Sequence, residues 1–521
     1  MLTRLKTFSL LGATARPVDV EVSLTPYVNV ANMESGSAPE SKTLIVGLAE
    51  TVVRESAFRV RLALEQSGFH LPPAYIVVNL APADLPKQAA SFDLSISLGQ
   101  IAAAGLESFP HLSEYAIVGE LALDGRTRPC RGVLASARAA KASGLRGVVV
   151  PKENAREAAL VDGIEAIAVS SLSEAVAFFS GKLTIAPTPG LDGGEFETLS
   201  TYDVDFDEVR GQESAKRALT IAAAGGHNVL MFGSPGAGKT MLAKRLPTIL
   251  PPMTLEEALE TTEIYSAVGK LGDRPLIATR PFREPHHSVS EPGLVGGGAR
   301  PTPGELSLAH NGVLFLDELP EFNRKTLEAL RQPLESGRAV ITRSNQTEVF
   351  PAKIILVAAM NPCPCGFRTD PKRKCRCTPQ QIERYMSRIS GPLLDRIDVH
   401  IETAPVSYQD MTSTTRGASS AELRDQVKFA REIQARRYVD EPIRCNGEMR
   451  RRHLERWATL DSLASQTLES AMDKFSLSAR AHDKILRVAR TIADLDGKDQ
   501  IDQTALFEAL SYRALDRKLW K

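Results

Sequence analysis

NVLMFGSPGAGKTMLAKRL, residues 228–246, carries an ordered pattern that few folds accommodate. An apolar run ends at Gly233, a G-x-x-x-x-G-K-T motif spans Gly233 to Thr240, and a helical pattern follows. Strand, glycine-rich turn and helix, in that order, are the context in which such a loop wraps phosphate. Gly233, Gly236 and Gly238 let backbone N–H groups curl inward, with Ser234, Pro235 and Ala237 completing the turn. The helix N-terminus adds positive potential. In this reading Lys239 reaches the β- and γ-phosphates of a nucleoside triphosphate, ATP above all, and Thr240 offers its hydroxyl to Mg²⁺.

Further along, NGVLFLDELPEF (311–322) brings Asp317 and Glu318 to the end of a buried strand. Asp317 can hold the magnesium, and Glu318 can polarise an attacking water, because positioning and electrostatics dominate phosphoryl transfer. A strand merely capped by two surface acids is the plainer reading. IILVAAMNP (354–362) supplies a third strand ending at Asn361, whose amide can orient water against the γ-phosphate; Asn-Pro is also simply a turn. Strands alternating with helices predict an α/β fold with a parallel sheet, its active edge at the strands' C-terminal ends.

The rest of the chain sets the frame. At 521 residues it is too long for one core, so two to four domains are expected. Lys plus Arg and Asp plus Glu both number 63, which excludes a polybasic nucleic-acid coat and confines any such contact to a local patch. No apolar run approaches the roughly 20 residues that span a bilayer. The opening MLTRLKTFSLLGATA could pass for a weak signal peptide over Lys6–Ala15; an edge strand opening a domain is the favoured reading. Composition predicts domains at 1–180, 201–405 and 406–521, with a Gly/Pro/Thr-rich linker over 181–200 and the last domain wholly helical.

At this point the sequence resembles the ComM/YifB family of magnesium-chelatase-like AAA+ ATPases. The segments that carry the resemblance are GSPGAGKTMLAKRLPTILPP (233–252), PFREPHHSVSEPGLVGGGARPTPGELSLAHNGVLFLDELPEF (281–322), NPCPCGF (361–367) and RISGPLLDRIDVHIE (388–402). The resemblance implies an AAA+ P-loop core with a C-terminal helical lid, a homo-hexameric ring, and ATP hydrolysis between subunits in the cytoplasm. It implies that an arginine from one subunit meets the γ-phosphate of the next. Arg396 in LLDRIDVH matches that position, with Arg388 and Arg384 as rivals; a salt bridge of Arg396 with Asp395 or Asp398 is the structural alternative. A second sensor arginine maps onto Arg480. EPGLVGGGARPTPGE (291–305) matches the family's insertion in its second helix, and residues 336–357 read as a hairpin. Arg338 and Arg343 on that hairpin could touch DNA phosphates, or the hairpin could lie on the surface without a ligand.

CPCGFRTDPKRKCRC (363–377) sets Cys363, Cys365, Cys375 and Cys377 as two C-x-C pairs. Four thiolates from two turns can hold Zn²⁺ tetrahedrally; a labile thiol cluster or a disulfide pair stays open. From Arg368 to Arg396 eight Lys or Arg stand against three acids, a local net of +5 on a neutral chain. The N-terminal segment 118–157 resembles the Lon-protease-like fold, whose chemistry needs a serine and a lysine. This chain places Asp93 at the serine position, with Ser95 two residues away, and Leu134 at the lysine position, so a non-proteolytic scaffold is expected. The function expected is an ATP-driven DNA motor, a helicase or branch-migration enzyme on single-stranded or branched DNA. The alternative is a protein-remodelling motor of magnesium-chelatase type.

Overall fold

The computed structural model describes residues 2–27, 41–87, 90–272, 274–298, 301–343, 346–370, 372–405 and 417–513. The chain forms two compact units, Met1–Leu199 with Ala258–Ile277, and Ser200–Glu257 with Ala278–Lys521.

In the first unit, β1 (Leu2–Leu11), β2 (Thr14–Pro26), β3 (Lys42–Val46), β4 (Ala74–Ala81) and β5 (Tyr115–Ile117) precede a small ribbon, β6 (Glu120–Leu121) with β7 (Thr127–Arg128). The strands β8 (Gly147–Pro151) and β9 (Glu165–Val169) complete a seven-stranded mixed sheet ordered β3-β4-β2-β1-β5-β8-β9. The opening segment is therefore no edge strand. β1 is the middle of the sheet, antiparallel to β2 and parallel to β5. Leu5, Thr7, Phe8 and Ser9 are buried, which the polar side chains between them disguise in the sequence. The helix Asp93–Ala103 is buried along almost its whole length. The segment expected as a linker over 181–200 contains a helix, Gly193–Leu199, and Thr188 N–H donates to Ala166 O at 2.8 Å. Ala258–Ile277, which the composition ran into the ATPase core, belongs to this unit: Gly132 N–H donates to Ser266 Oγ at 3.0 Å and Arg138 pairs with Glu263 at 3.3 Å.

The second unit holds a five-stranded sheet. Its strands are β10 (Val229–Phe232), β11 (Phe282–Arg283), β14 (Val313–Leu316), β17 (Ile355–Met360) and β18 (Val399–Glu402), ordered β11-β14-β17-β10-β18 and all parallel. Two antiparallel hairpins stand apart from it, β12 (Gly296–Gly297) with β13 (Thr302–Pro303), and β15 (Arg338–Arg343) with β16 (Gln346–Pro351). β10, β14 and β17 are buried at every position, as a parallel sheet covered on both faces requires. The helices Ser420–Arg437, Ala479–Leu495 and Gln503–Ser511 share that core, with Val427, Ile485, Ile492 and Leu506 in one cluster with Val229, Phe315 and Val357. The C-terminal helices thus seal the five-stranded sheet instead of forming a second core.

Candidate nucleotide site

Three adjacent strands deliver the site. β14, β17 and β10 lie side by side, and their C-terminal ends carry Asp317, Asn361 and the 233–240 loop. Parallel register aligns Phe232 with Met360 and Leu316 with Ala358, so the three strand ends open on one edge. Gly236 and Gly238 sit at φ 78° and 84°, a left-handed backbone that glycine adopts without strain. A side chain added at either would meet nothing within 4 Å, so the loop faces open space. Lys239 begins the helix Lys239–Ile249. Its ammonium donates to Gly233 O (2.7 Å), Ser234 O (3.1 Å) and Asn361 Oδ1 (3.3 Å). Burial pushes its pKa below the ordinary lysine value, while Asp317 acts in the opposite direction. Thr240 Oγ1 donates to Asp317 Oδ2 at 3.0 Å. The two oxygens assigned to magnesium from sequence, 77 residues apart, are therefore neighbours. An alcohol and a carboxylate oxygen are hard donors of the kind Mg²⁺ takes, so the residues fit the ion.

Glu318 is a left-handed residue with φ 52° and its side chain is 56% exposed. His287 Nδ1 lies 3.5 Å from Glu318 Oε2, and the His286 and His287 rings stand 4.0 Å apart. A cleft of about 530 Å³ lined by His287, Ser290, Glu321 and Lys325 opens beside them. Sequence reasoning gave His287 no role, although it lies in the quoted 281–322 segment; a lone histidine pair has no spacing signature, and only the fold brings it to the acid.

The arginines fall out differently. Arg396 is 15% exposed and tied within its own chain, donating to Arg331 O (3.1 Å) and Pro392 O (2.6 Å) and pairing with Glu335. Neither Asp395 nor Asp398 is its ion-pair partner among the described residues. Arg388 pairs with Glu321 at 2.7 Å. Arg384 is exposed on the helix Pro379–Met386 and forms no ion pair among the described residues. Arg480, 74% exposed, lies 3.4 Å from Asp395 and not against the phosphate loop.

The four cysteines converge. Cys363, Cys365, Cys375 and Cys377 offer sulfurs that all lie within 4.8 Å of one another, and no disulfide joins them. The sulfurs are 3.3 Å (Cys363 to Cys365) and 3.6 Å (Cys363 or Cys365 to Cys375) apart. A tetrahedral ion with metal–sulfur bonds of about 2.3 Å sets its sulfurs about 3.75 Å apart, so this donor set fits Zn²⁺. Backbone N–H groups of Arg376 and Phe367 lower the Cys365 thiol to about 6, favouring the thiolate a metal needs. Around the cluster Arg368, Lys372, Arg373, Lys374 and Arg376 are exposed.

On the hairpin, Arg338 is exposed, and Val340 (41%) faces Val349 (50%) across the strands. Arg343 ends β15, and its side chain lies outside the described residues, as do the turn residues 344–345. The insertion hairpin sits on this one: a Cβ at Gly296 would lie 2.5 Å from Ile341 Cδ1. In the first unit, Asp93 is fully buried. It accepts from Arg59 Nε (2.9 Å), Arg59 Nη2 (3.2 Å) and Leu121 N–H (3.4 Å), and Leu134 is equally buried.

No helix among the described residues is long and apolar enough to cross a membrane. Family models described as magnesium chelatase subunit ChlI match residues 205–411, subunit ChlI of Mg-chelatase residues 32–154, and the subunit ChlI C-terminal region residues 417–513. The competence protein ComM of Haemophilus influenzae is 47% identical over 480 residues, covering 92% of this chain and 93% of that protein. YifB of Escherichia coli is 42% identical over 520 residues, covering 99% and 98%. The magnesium-chelatase 38 kDa subunit of Rhodobacter capsulatus is 27% identical over 254 residues, 44% of this chain and 68% of the subunit. Matched along nearly its whole length, and carrying its phosphate loop, acid pair and C-terminal helices in one parallel-sheet core, the chain belongs to the ComM/YifB family of magnesium-chelatase-like AAA+ ATPases.

Proposed function

We propose that this protein is a ring-forming, ATP-driven motor on DNA, acting as a helicase or branch-migration enzyme on single-stranded or branched substrates.

 The ring is a homo-hexamer, each nucleotide lies between two subunits, and no membrane takes part. The observation that carries the DNA reading is the cationic loop around the cysteines. Between Arg368 and Arg388 seven Lys or Arg side chains are exposed, and among the described residues Arg388 alone of them forms an ion pair. Exposed cations not tied up in ion pairs suit a phosphate backbone, and binding of that kind weakens steeply with salt. The 47% identical relative bears the name competence protein, which agrees with a role in DNA uptake or recombination.

The residues divide the work as follows. Bound ATP supplies the γ-phosphoryl group that is transferred to water. Lys239 exchanges its loop carbonyls for β- and γ-phosphate oxygens, and Thr240 with Asp317 holds Mg²⁺. Glu318, facing water, accepts the proton of the attacking water, and Asn361 orients it. The arginine supplied in trans is assigned by resemblance to Arg396, which must give up Glu335 to act; among the described residues Arg384 has no ion pair to break. Arg480 serves as the second sensor, and Arg338 and Arg343 as hairpin contacts to DNA. Cys363, Cys365, Cys375 and Cys377 bind one Zn²⁺.

The test is ATP turnover with Holliday-junction and forked DNA over a salt series, with Glu318→Gln as control. Stimulation by DNA that fades with salt supports the reading. Turnover indifferent to DNA at every salt concentration overturns it. That outcome would favour the second reading, a motor acting on a partner protein, to which the match with magnesium-chelatase models points.

A further inference from the structure

The cysteine cluster lies against the nucleotide site. Asn361 follows the end of β17 and precedes Cys363 by two residues. Its Oδ1 accepts from Lys239 Nζ at 3.3 Å, so the strand that enters the cluster also steadies the phosphate-binding lysine. Cys363 itself is fully buried. The turn that follows returns on the phosphate loop: Gly366 N–H donates to Cys363 O at 2.9 Å, and Gly366 holds φ 82°. A Cβ at Gly366 would lie 2.6 Å from Pro235 Cδ and 2.8 Å from Pro235 Cγ. The backbone of the cysteine turn is thus packed directly on the proline of the phosphate loop.

We infer that the four thiolates and their metal form a clip that holds the Gly366 turn against Pro235 and Asn361, so that nucleotide affinity depends on the metal. This rests on the Zn²⁺ reading given above. The physical reason is constraint. One ion joins Cys363 and Cys365 to Cys375 and Cys377, closing a loop that no disulfide closes. With the ion gone, the turn keeps the Gly366 N–H to Cys363 O bond, but the tie from Cys363 and Cys365 to Cys375 and Cys377 is lost, and the turn's hold on Pro235 loosens. The phosphate loop then samples shapes that do not grip phosphate, and affinity falls with the fraction of loops correctly shaped.

The experiment uses the full chain. Metal content is measured as purified, after stripping with a chelator and dialysis into Mg²⁺ buffer, and after adding Zn²⁺ back. At each stage the Kd for a fluorescent ATP analogue is read by anisotropy. We expect one zinc per chain, a Kd about tenfold weaker after stripping, and recovery on zinc addition. Gly366→Ala is measured in parallel, since it keeps all four thiols while a Cβ at φ 82° and against Pro235 displaces the turn from the phosphate loop. It should retain zinc, keep its helical circular dichroism and bind the analogue several-fold more weakly. If stripping unfolds the chain, Gly366→Ala decides the matter. Protein purified without metal, and unable to take up Zn²⁺, sinks the zinc site and the clip together. Zinc present, with Kd unchanged in the folded stripped protein or in Gly366→Ala, leaves the site standing and overturns the clip.

Discussion

Asp93 and Lys239 occupy comparable places in the two units. Each is the first residue of an 11-residue helix packed behind a sheet, and each is buried. Their partners differ. Asp93 is met by a full opposite charge, the Arg59 guanidinium, through two hydrogen bonds. Lys239 is met by two carbonyls and an amide, all neutral, beside glycines that face open space. A charge already neutralised inside the protein is a structural pin, because any ligand would first have to break a buried ion pair. A charge held by neutral groups retains its attraction for an anion. Two helix starts of similar build therefore serve opposite ends, and the identity of the nearest counter-charge decides which.

That contrast can be broken by experiment. The largest effect is expected at Glu318→Gln, which should slow ATP turnover about a thousandfold while leaving nucleotide binding intact. Single-turnover kinetics and anisotropy separate the two, and near-normal turnover would remove Glu318 from the chemistry. Next comes Asp93→Ala, which strands Arg59. It should cost the first unit about 3 kcal/mol in urea unfolding and leave the nucleotide Kd alone, whereas Arg59→Leu with Asp93→Leu should recover most of the loss. An unstable double variant would mean that the pair does more than neutralise itself. A smaller effect is expected at the cationic loop: Lys372→Ala and Arg373→Ala should each lower the slope of log K for DNA against log salt by about 1. Unchanged slopes would take the proposed DNA contact away from this loop.

The smallest effect concerns acid. Burial opposes ionisation of Asp398, but the His227 imidazole, 3.7 Å from its Oδ2, and the nearby Lys484 charge overcome it and hold the carboxyl well below the usual range. A depressed carboxylate contributes stability above its unfolded value, about 3.9, and loses it as pH falls through the folded value. Urea midpoints of the second unit should therefore drop below about pH 4, and less steeply in Asp398→Asn. An identical slope in the two proteins would assign acid sensitivity to other carboxylates.

Much of this was legible in the sequence because its signals are local. The phosphate loop needs 8 consecutive residues, and β10 and the helix behind it announce themselves within the same stretch. Asp317 and Glu318 are readable for the same reason, since four apolar residues fix where their strand ends. What failed to show depends on distant partners. β1 reads as an edge strand because Arg4 and Lys6 interrupt it, and only its pairing with β2 and β5 places it at the centre. Arg396 meets Glu335 from 61 residues away, so no local pattern predicts the bond. The move of Ala258–Ile277 into the first unit and the approach of His287 to Glu318 are likewise products of folding.

The left-handed backbone at Glu318 carries a cost. A residue with a Cβ holds φ 52° at an expense of about 1 kcal/mol that glycine would not incur. Glu318→Gly should accordingly melt at a higher temperature while hydrolysing almost nothing. A selection for heat resistance that ignored turnover would discard this carboxylate early, so its survival in a chain records a need that folding alone never imposed.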